Sequence, residues 1–159
     1  MHFTEFALNK PILKAIFEKN YETPTDVQIE TIPLVLAKKD VVVSAQTGTG
    51  KTAAFGFPML QRVDSTNRRT QGLILSPTRE LCIQITNDMV VYGKAIKGVN
   101  IVAIYGGANI QEQANKIKRG AQIVVATPGR LKDMIKRRLV EISAIKYCVL
   151  DEADEMLNM

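Results

Sequence analysis

Tryptophan is absent from this 159-residue chain, histidine occurs once and cysteine twice. His2, Cys82 and Cys148 lie far apart and outside any C-x-x-C spacing, which excludes a His/Cys metal cluster and a disulfide framework. The two thiols read instead as buried side chains of a reducing compartment. No apolar run approaches the roughly 20 residues of a bilayer span, so no membrane partner is expected. The opening segment, Met1 to Phe6, lacks the basic and then apolar pattern of a secretory leader, and the expected location is cytoplasmic. Internal repeats, low-complexity tracts and a Ser/Gly/Pro-rich linker are missing too. With 46% hydrophobic and 23% charged residues, the composition is that of an ordinary globular domain with room for a core.

Lys and Arg number 21 against 16 Asp and Glu, a net charge of +5. That excess is compatible with a polyanionic partner and by itself identifies none. The clearer signal is an alternation of short apolar runs with helical patterns. The strands expected are 40–44, 72–76, 99–104, 122–126 and 147–150, rich in β-branched residues and mostly continuous rather than alternating. Such runs suit a parallel sheet covered on both faces. Helical spacing marks 11–19, 27–36 (with Asp26 as its cap), 52–63, 79–96, 110–119 and 130–138. The fold class expected is therefore α/β, with a mostly parallel central sheet and helices on both faces. Ligands of such sheets bind beyond the carboxyl ends of the strands, which directs attention to the loops after Ser44, Ser76, Ala126 and Leu150.

Two of those loops carry phosphate chemistry. Ala45-Gln46-Thr47-Gly48-Thr49-Gly50-Lys51-Thr52 follows an apolar run and opens a helix. Gly48 and Gly50 let the backbone curl until several N–H groups point at one spot, and the helix adds the positive end of its dipole. Lys51 can reach the β- and γ-phosphates, and the Thr52 hydroxyl can ligate Mg²⁺. The generic G-x-x-x-x-G-K-[ST] pattern has Ala45 at its first position here. Asp151-Glu152 closes the last apolar run. Two acids at a strand end are, alone, as often a solvated turn as a site. Beside a phosphate loop, Asp151 suits coordination of Mg²⁺, partly through water, and Glu152 suits orienting the attacking water. Together they describe a nucleoside-triphosphate site.

Read as Asp151-Glu152-Ala153-Asp154, the acidic run resembles the signature of the DEAD-box RNA helicases, of bacterial type. Other motifs of that family occur in order over nearly the whole chain: Phe3 with 21–28, the loop 45–52 in its A-x-T-G-x-G-K-T form, Pro77-Thr78-Arg79-Glu80-Leu81, Gly106-Gly107 and Thr127-Pro128-Gly129-Arg130. The resemblance implies a RecA-like P-loop domain over 1–159, with the adenine-recognition segment in 1–38. It implies ATP and Mg²⁺ as cofactors, Gln28 pairing with the adenine edge and Tyr21 stacking on the base. The usual Gly before that aromatic is Asn20 here, a residue that tolerates the left-handed conformation. Thr78, Arg79, Gly107, Thr127 and Arg130 would contact single-stranded or locally duplex RNA through its backbone, with little base specificity. Asp154 would serve interdomain coupling.

The resemblance also implies a second RecA-like domain, and a Ser-Ala-Thr motif on a strand between the phosphate-loop strand and the acidic strand. Neither occurs within these residues, so the domain is expected to be incomplete and the sheet to lack a member. The activity implied is ATP-dependent RNA unwinding. The alternative is a nucleotide-dependent RNA tether without catalysis, and a DNA translocase is less favoured because Gln28 and the Asp151–Asp154 tetrad occur together.

Overall fold

The computed structural model describes residues 1–159. After a 3₁₀ turn at Phe3–Glu5, the elements are α1 (Lys10–Glu18), α2 (Asp26–Leu36), α3 (Lys51–Arg62), β1 (Gly72–Leu75), α4 (Arg79–Tyr92), β2 (Ile101–Ile104), α5 (Ile110–Arg119), β3 (Ile123–Ala126), α6 (Pro128–Lys136), β4 (Tyr147–Leu150) and α7 (Ala153–Leu157). Most ends are capped by the chain itself. Asn9 accepts from the Ile12 N–H at the start of α1, and Asn109 does the same for Glu112 in α5. For α2 the cap is Thr25 rather than Asp26, because the Thr25 hydroxyl accepts from the Gln28 N–H while Asp26 is already the first helical residue.

The backbone forms two compact units, 1–62 with 91–97 and 63–90 with 98–159. In the first, Ile12 and Ile16 of α1 are buried, and aromatic rings meet edge to face. Phe3 lies 6.1 Å from Phe57, and Phe57 lies 4.8 Å from Tyr92. Phe3 is thus buried in the core of this unit. Asn20 does take the left-handed conformation, at φ 60°, so the turn into Tyr21 forms without glycine.

The second unit holds the sheet, four parallel strands in the order β2-β3-β1-β4. All four residues of β3 are buried, as a strand covered on both faces requires. One core cluster joins Val124 and Ala126 of β3 to Val102 and Ile104 of β2, Ala114 of α5, and Leu131 and Met134 of α6. The pairing register sets Leu75 level with Ala126 and Leu150, and Ala126 level with Ile104. The loops that leave these strands therefore start from one end of the sheet.

Two further expectations need correction. Residues 40–44 form no strand. They pair with nothing in the sheet, and Val41, Val42 and Val43 are exposed. An apolar run becomes a strand only when a neighbour takes up its backbone groups, and the sheet ends at β4, whose outer side carries no strand. The second correction concerns the cysteines: Cys148 is exposed on the same face of β4 as Leu150, whereas Cys82 on α4 is fully buried and its thiol pKa is pushed up to about 11 by burial.

Candidate functional site

In the first unit the phosphate loop is fixed by the helix before it. Gly48 and Gly50 have φ of +84° and +80°, left-handed values that glycine adopts without strain. The Thr25 hydroxyl donates to the Thr49 carbonyl at 2.7 Å, and Gln28 Nε2 donates to the Gly50 carbonyl at 3.2 Å. Gln28 Oε1 meanwhile accepts from the Thr25 N–H at 3.0 Å. Thr49 adds its own bond, its hydroxyl donating to the Gln46 carbonyl at 2.6 Å. The carbonyls of Gln46, Thr49 and Gly50 are thus occupied by side chains. The loop runs directly into the N-terminus of α3 at Lys51, where the helix dipole favours an anion.

Gln28 is 4% exposed, although the apolar pattern of α2 pointed elsewhere. The inward face of this helix is Gln28, Thr31 and Ile32, while Leu34 is exposed. A Cβ on Gly50 would collide with Gln28 Nε2, so the close approach of loop and amide depends on glycine there. Gln46, Thr47 and Gly48 are exposed; Thr49, Gly50, Lys51, Thr52 and Tyr21 are half-buried.

In the second unit, the loops at the carboxyl end of the sheet hold the remaining sequence-marked residues. Asp151, just after β4, is 8% exposed, and its N–H donates to the Leu75 carbonyl at 2.9 Å. Glu152 sits at φ 52°, a left-handed conformation that costs a non-glycine residue about 1–2 kcal/mol. Strain of that kind concentrates at functional positions. Asp154 is exposed on the first turn of α7. The oxygens singled out for a cation, the Thr52 hydroxyl and the Asp151 carboxylate, are hard donors that suit Mg²⁺.

After β1, Thr78 caps α4 by accepting from the Leu81 N–H at 3.1 Å, and Thr78 and Arg79 are exposed. Thr127 occupies the cap position of α6 without a side-chain bond. Arg79, Gly107 and Arg130 are drawn together by two residues the motifs did not single out. The Arg79 guanidinium carbon lies 5.0 Å from the centroid of the Tyr105 ring. Gly107, at φ +85°, passes so close that a Cβ would sit 3.2 Å from Arg79 Nη1. Gln113 of α5 accepts from Arg130 at 3.0 Å and from the Tyr105 N–H at 3.3 Å, and it donates to the Tyr105 carbonyl at 3.2 Å. One signal for Gln113 was available. It sits at helical spacing with Ile110, Ala114 and Ile117, a polar residue on the inward stripe.

A parallel sheet whose strand-end loops carry acids and arginines, and a glycine loop that opens a helix, define a P-loop α/β protein. The DEAD/DEAH box helicase family model matches residues 25–159. The chain is 52% identical over 159 residues to the ATP-dependent RNA helicase CshA of Limosilactobacillus reuteri, covering 100% of this chain and 32% of that protein. It is 47% identical over 157 residues to the ATP-dependent RNA helicase DeaD of Klebsiella pneumoniae, covering 99% and 24% respectively. The crystal structure of a DEAD box protein from the hyperthermophile Methanococcus jannaschii superposes with a TM-score of 0.94 at 44% identity, over 100% of this chain and 43% of that one. The chain belongs to the DEAD/DEAH box helicase family, and it spans about a quarter to a third of the length of these two helicases.

Proposed function

We propose that these residues are the ATP-binding part of an RNA-dependent ATPase that opens RNA duplexes locally. The clasp from Thr25 and Gln28 onto Thr49 and Gly50 carries this reading, because it ties a side chain suited to a base to a loop suited to phosphates. Gln28 uses one amide hydrogen on Gly50 and one lone pair on Thr25. A second of each remains for adenine N6 and N7. Tyr21 stacks on the base. The 46–50 backbone and Lys51 hold the phosphates, Thr52 and Asp151 bind Mg²⁺ (Asp151 partly through water), and Glu152 orients the attacking water. Bound Mg²⁺ supplies neutralisation of the phosphoryl charge.

Thr78, Arg79, Gly107, Thr127 and Arg130 hold the RNA backbone, single-stranded or locally duplex. Their hydroxyl, amide and guanidinium donors match phosphate oxygens and 2′-hydroxyls. Asp154 couples the nucleotide to a second RecA-like domain of the complete natural chain. In that cycle, ATP and RNA favour a closed arrangement and hydrolysis releases it.

The decisive variant is Glu152→Gln in the complete natural chain. ATP and RNA binding should persist while turnover falls at least about a hundredfold, the range of a lost general base. Turnover unchanged by Glu152→Gln overturns the role of Glu152. A natural chain that binds both ligands and never turns over is an RNA tether instead. Residues 1–159 alone should bind nucleotide and hydrolyse it feebly, since the resemblance assigns the arginine finger to the second RecA-like domain and such a finger is worth about 10³–10⁵ in rate.

A further inference from the structure

Arg79 and Arg130 stand on different helices, after different strands, yet they share one support. Arg130 Nη1 donates to Gln113 Oε1 at 3.0 Å and to the Ala108 carbonyl at 3.1 Å. The same Gln113 amide takes the Tyr105 N–H and donates to the Tyr105 carbonyl, so both backbone groups of Tyr105 are held by one side chain. The Tyr105 ring then faces the Arg79 guanidinium. Gln113 is 5% exposed, and its position on α5 is set by the Asn109 cap one turn earlier.

We propose that Gln113 is a positioning residue for RNA: it sets the backbone of 105–108 and orients Arg130, and through Tyr105 it holds Arg79. The inference rests on the RNA reading of Arg79, Gly107 and Arg130 given above. Its chemical logic is donor allocation. A guanidinium carries five N–H donors in a rigid fork. With Nη1 committed to Gln113 and Ala108, the remaining donors are left for phosphate oxygens in one fixed orientation. Without Gln113, Arg130 loses one of its two acceptors and Tyr105 loses the bonds that set its ring under Arg79. Both arginines then spend time in rotamers that do not meet the phosphate.

The test uses the complete natural chain, a fluorescein-labelled oligouridine and a non-hydrolysable ATP analogue, with affinity measured over a series of KCl concentrations. Gln113→Met keeps the length and apolar bulk of the side chain and removes the amide. RNA affinity should fall about tenfold, and the slope of log affinity against log salt should flatten by about 0.7, one single-strand phosphate contact. Nucleotide affinity without RNA should equal wild type, which also shows that the variant folds. Gln113→Glu keeps the acceptor for Arg130 but adds a negative charge that competes with phosphate, so RNA affinity should fall as far or further. Combining Gln113→Met with Arg130→Met should weaken binding by clearly less than the sum of the two single losses, because the share that acts through Arg130 is already gone and only the share through Tyr105 and Arg79 remains.

If Arg130→Met weakens RNA binding and neither Gln113 variant does, or if the two losses simply add, the positioning role is overturned while the RNA reading stands. If Arg130→Met and Arg79→Met both leave RNA binding unchanged, the RNA reading itself fails and this inference fails with it.

Discussion

Two loops, one in each unit, are built on the same device. At 46–50, Gln28 donates to the Gly50 carbonyl and accepts from Thr25; at 105–108, Gln113 donates to the Tyr105 carbonyl and accepts from the Tyr105 N–H and from Arg130. Both glutamines lie on the inward stripe of a helix, at 4% and 5% exposure, and both loops contain a glycine at positive φ. An amide can do this because it offers donor and acceptor together, so it can replace the strand or helix partner that an irregular loop lacks. The loops differ in what lies against the glycine. At Gly50 it is the clasp itself, with Gln28 Nε2 in the space a Cβ would need; at Gly107 it is the far end of the flexible Arg79, 3.2 Å from where a Cβ would stand.

That difference predicts unequal damage. Gly50→Ala forces a left-handed alanine, costing about 1–2 kcal/mol, and displaces Gln28, breaking its part-buried bonds to Gly50 and Thr25 at about 0.5–1.5 kcal/mol each. Affinity for a fluorescent ATP analogue should fall about a hundredfold or be lost. A Gly50→Ala protein that binds nucleotide normally would show that the clasp is dispensable. Removing the amide and keeping the glycine is milder. Gln28→Ala should weaken ATP binding by about tenfold or more, because the Thr25 N–H loses its acceptor and the Gly50 carbonyl keeps only the Ala54 N–H. RNA binding measured without nucleotide should not change, which separates this clasp from the one at Gln113.

Gly107→Ala comes next. Arg79 can swing aside, so the cost is the backbone strain alone, and RNA affinity should drop by about tenfold with ATP affinity untouched. A loss as large as that from Gly50→Ala would mean that the 105–108 loop tolerates the change no better than the 46–50 loop. The smallest effects separate capping from contact. Thr78→Ala removes a cap bond worth about 1 kcal/mol, and hydrogen exchange in the first turn of α4 should quicken by about fivefold. Thr127 makes no cap bond, so Thr127→Ala should leave exchange at the start of α6 nearly unchanged. If Thr127 contacts RNA as proposed, that substitution should still weaken RNA binding.

The parts legible without coordinates are those set by neighbours in sequence. Gly48 and Gly50 curl, α3 starts beside them, and Thr78 caps α4 because each outcome is decided within a few residues. The four strands that formed had continuous apolar runs and partners to receive them. Residues 40–44 had the run and no partner. The same composition that buries β3 leaves Val42 exposed, and nothing local distinguishes the two. Tyr105 and Gln113 carry no local signature for a related reason: Gln113 bonds to groups eight and seventeen residues away in the chain, and the Tyr105 ring meets Arg79 of α4.

By itself, then, the sequence determined the α/β class, the motif order that places the chain in its helicase family, and the identity of the loops that carry charge. Only the tertiary structure decided which apolar run is a strand, which cysteine is buried, and which side chains hold the loops in place. The reason is that propensity and backbone curvature act over a few residues, whereas a strand edge or a buried amide is satisfied by groups that meet only after folding.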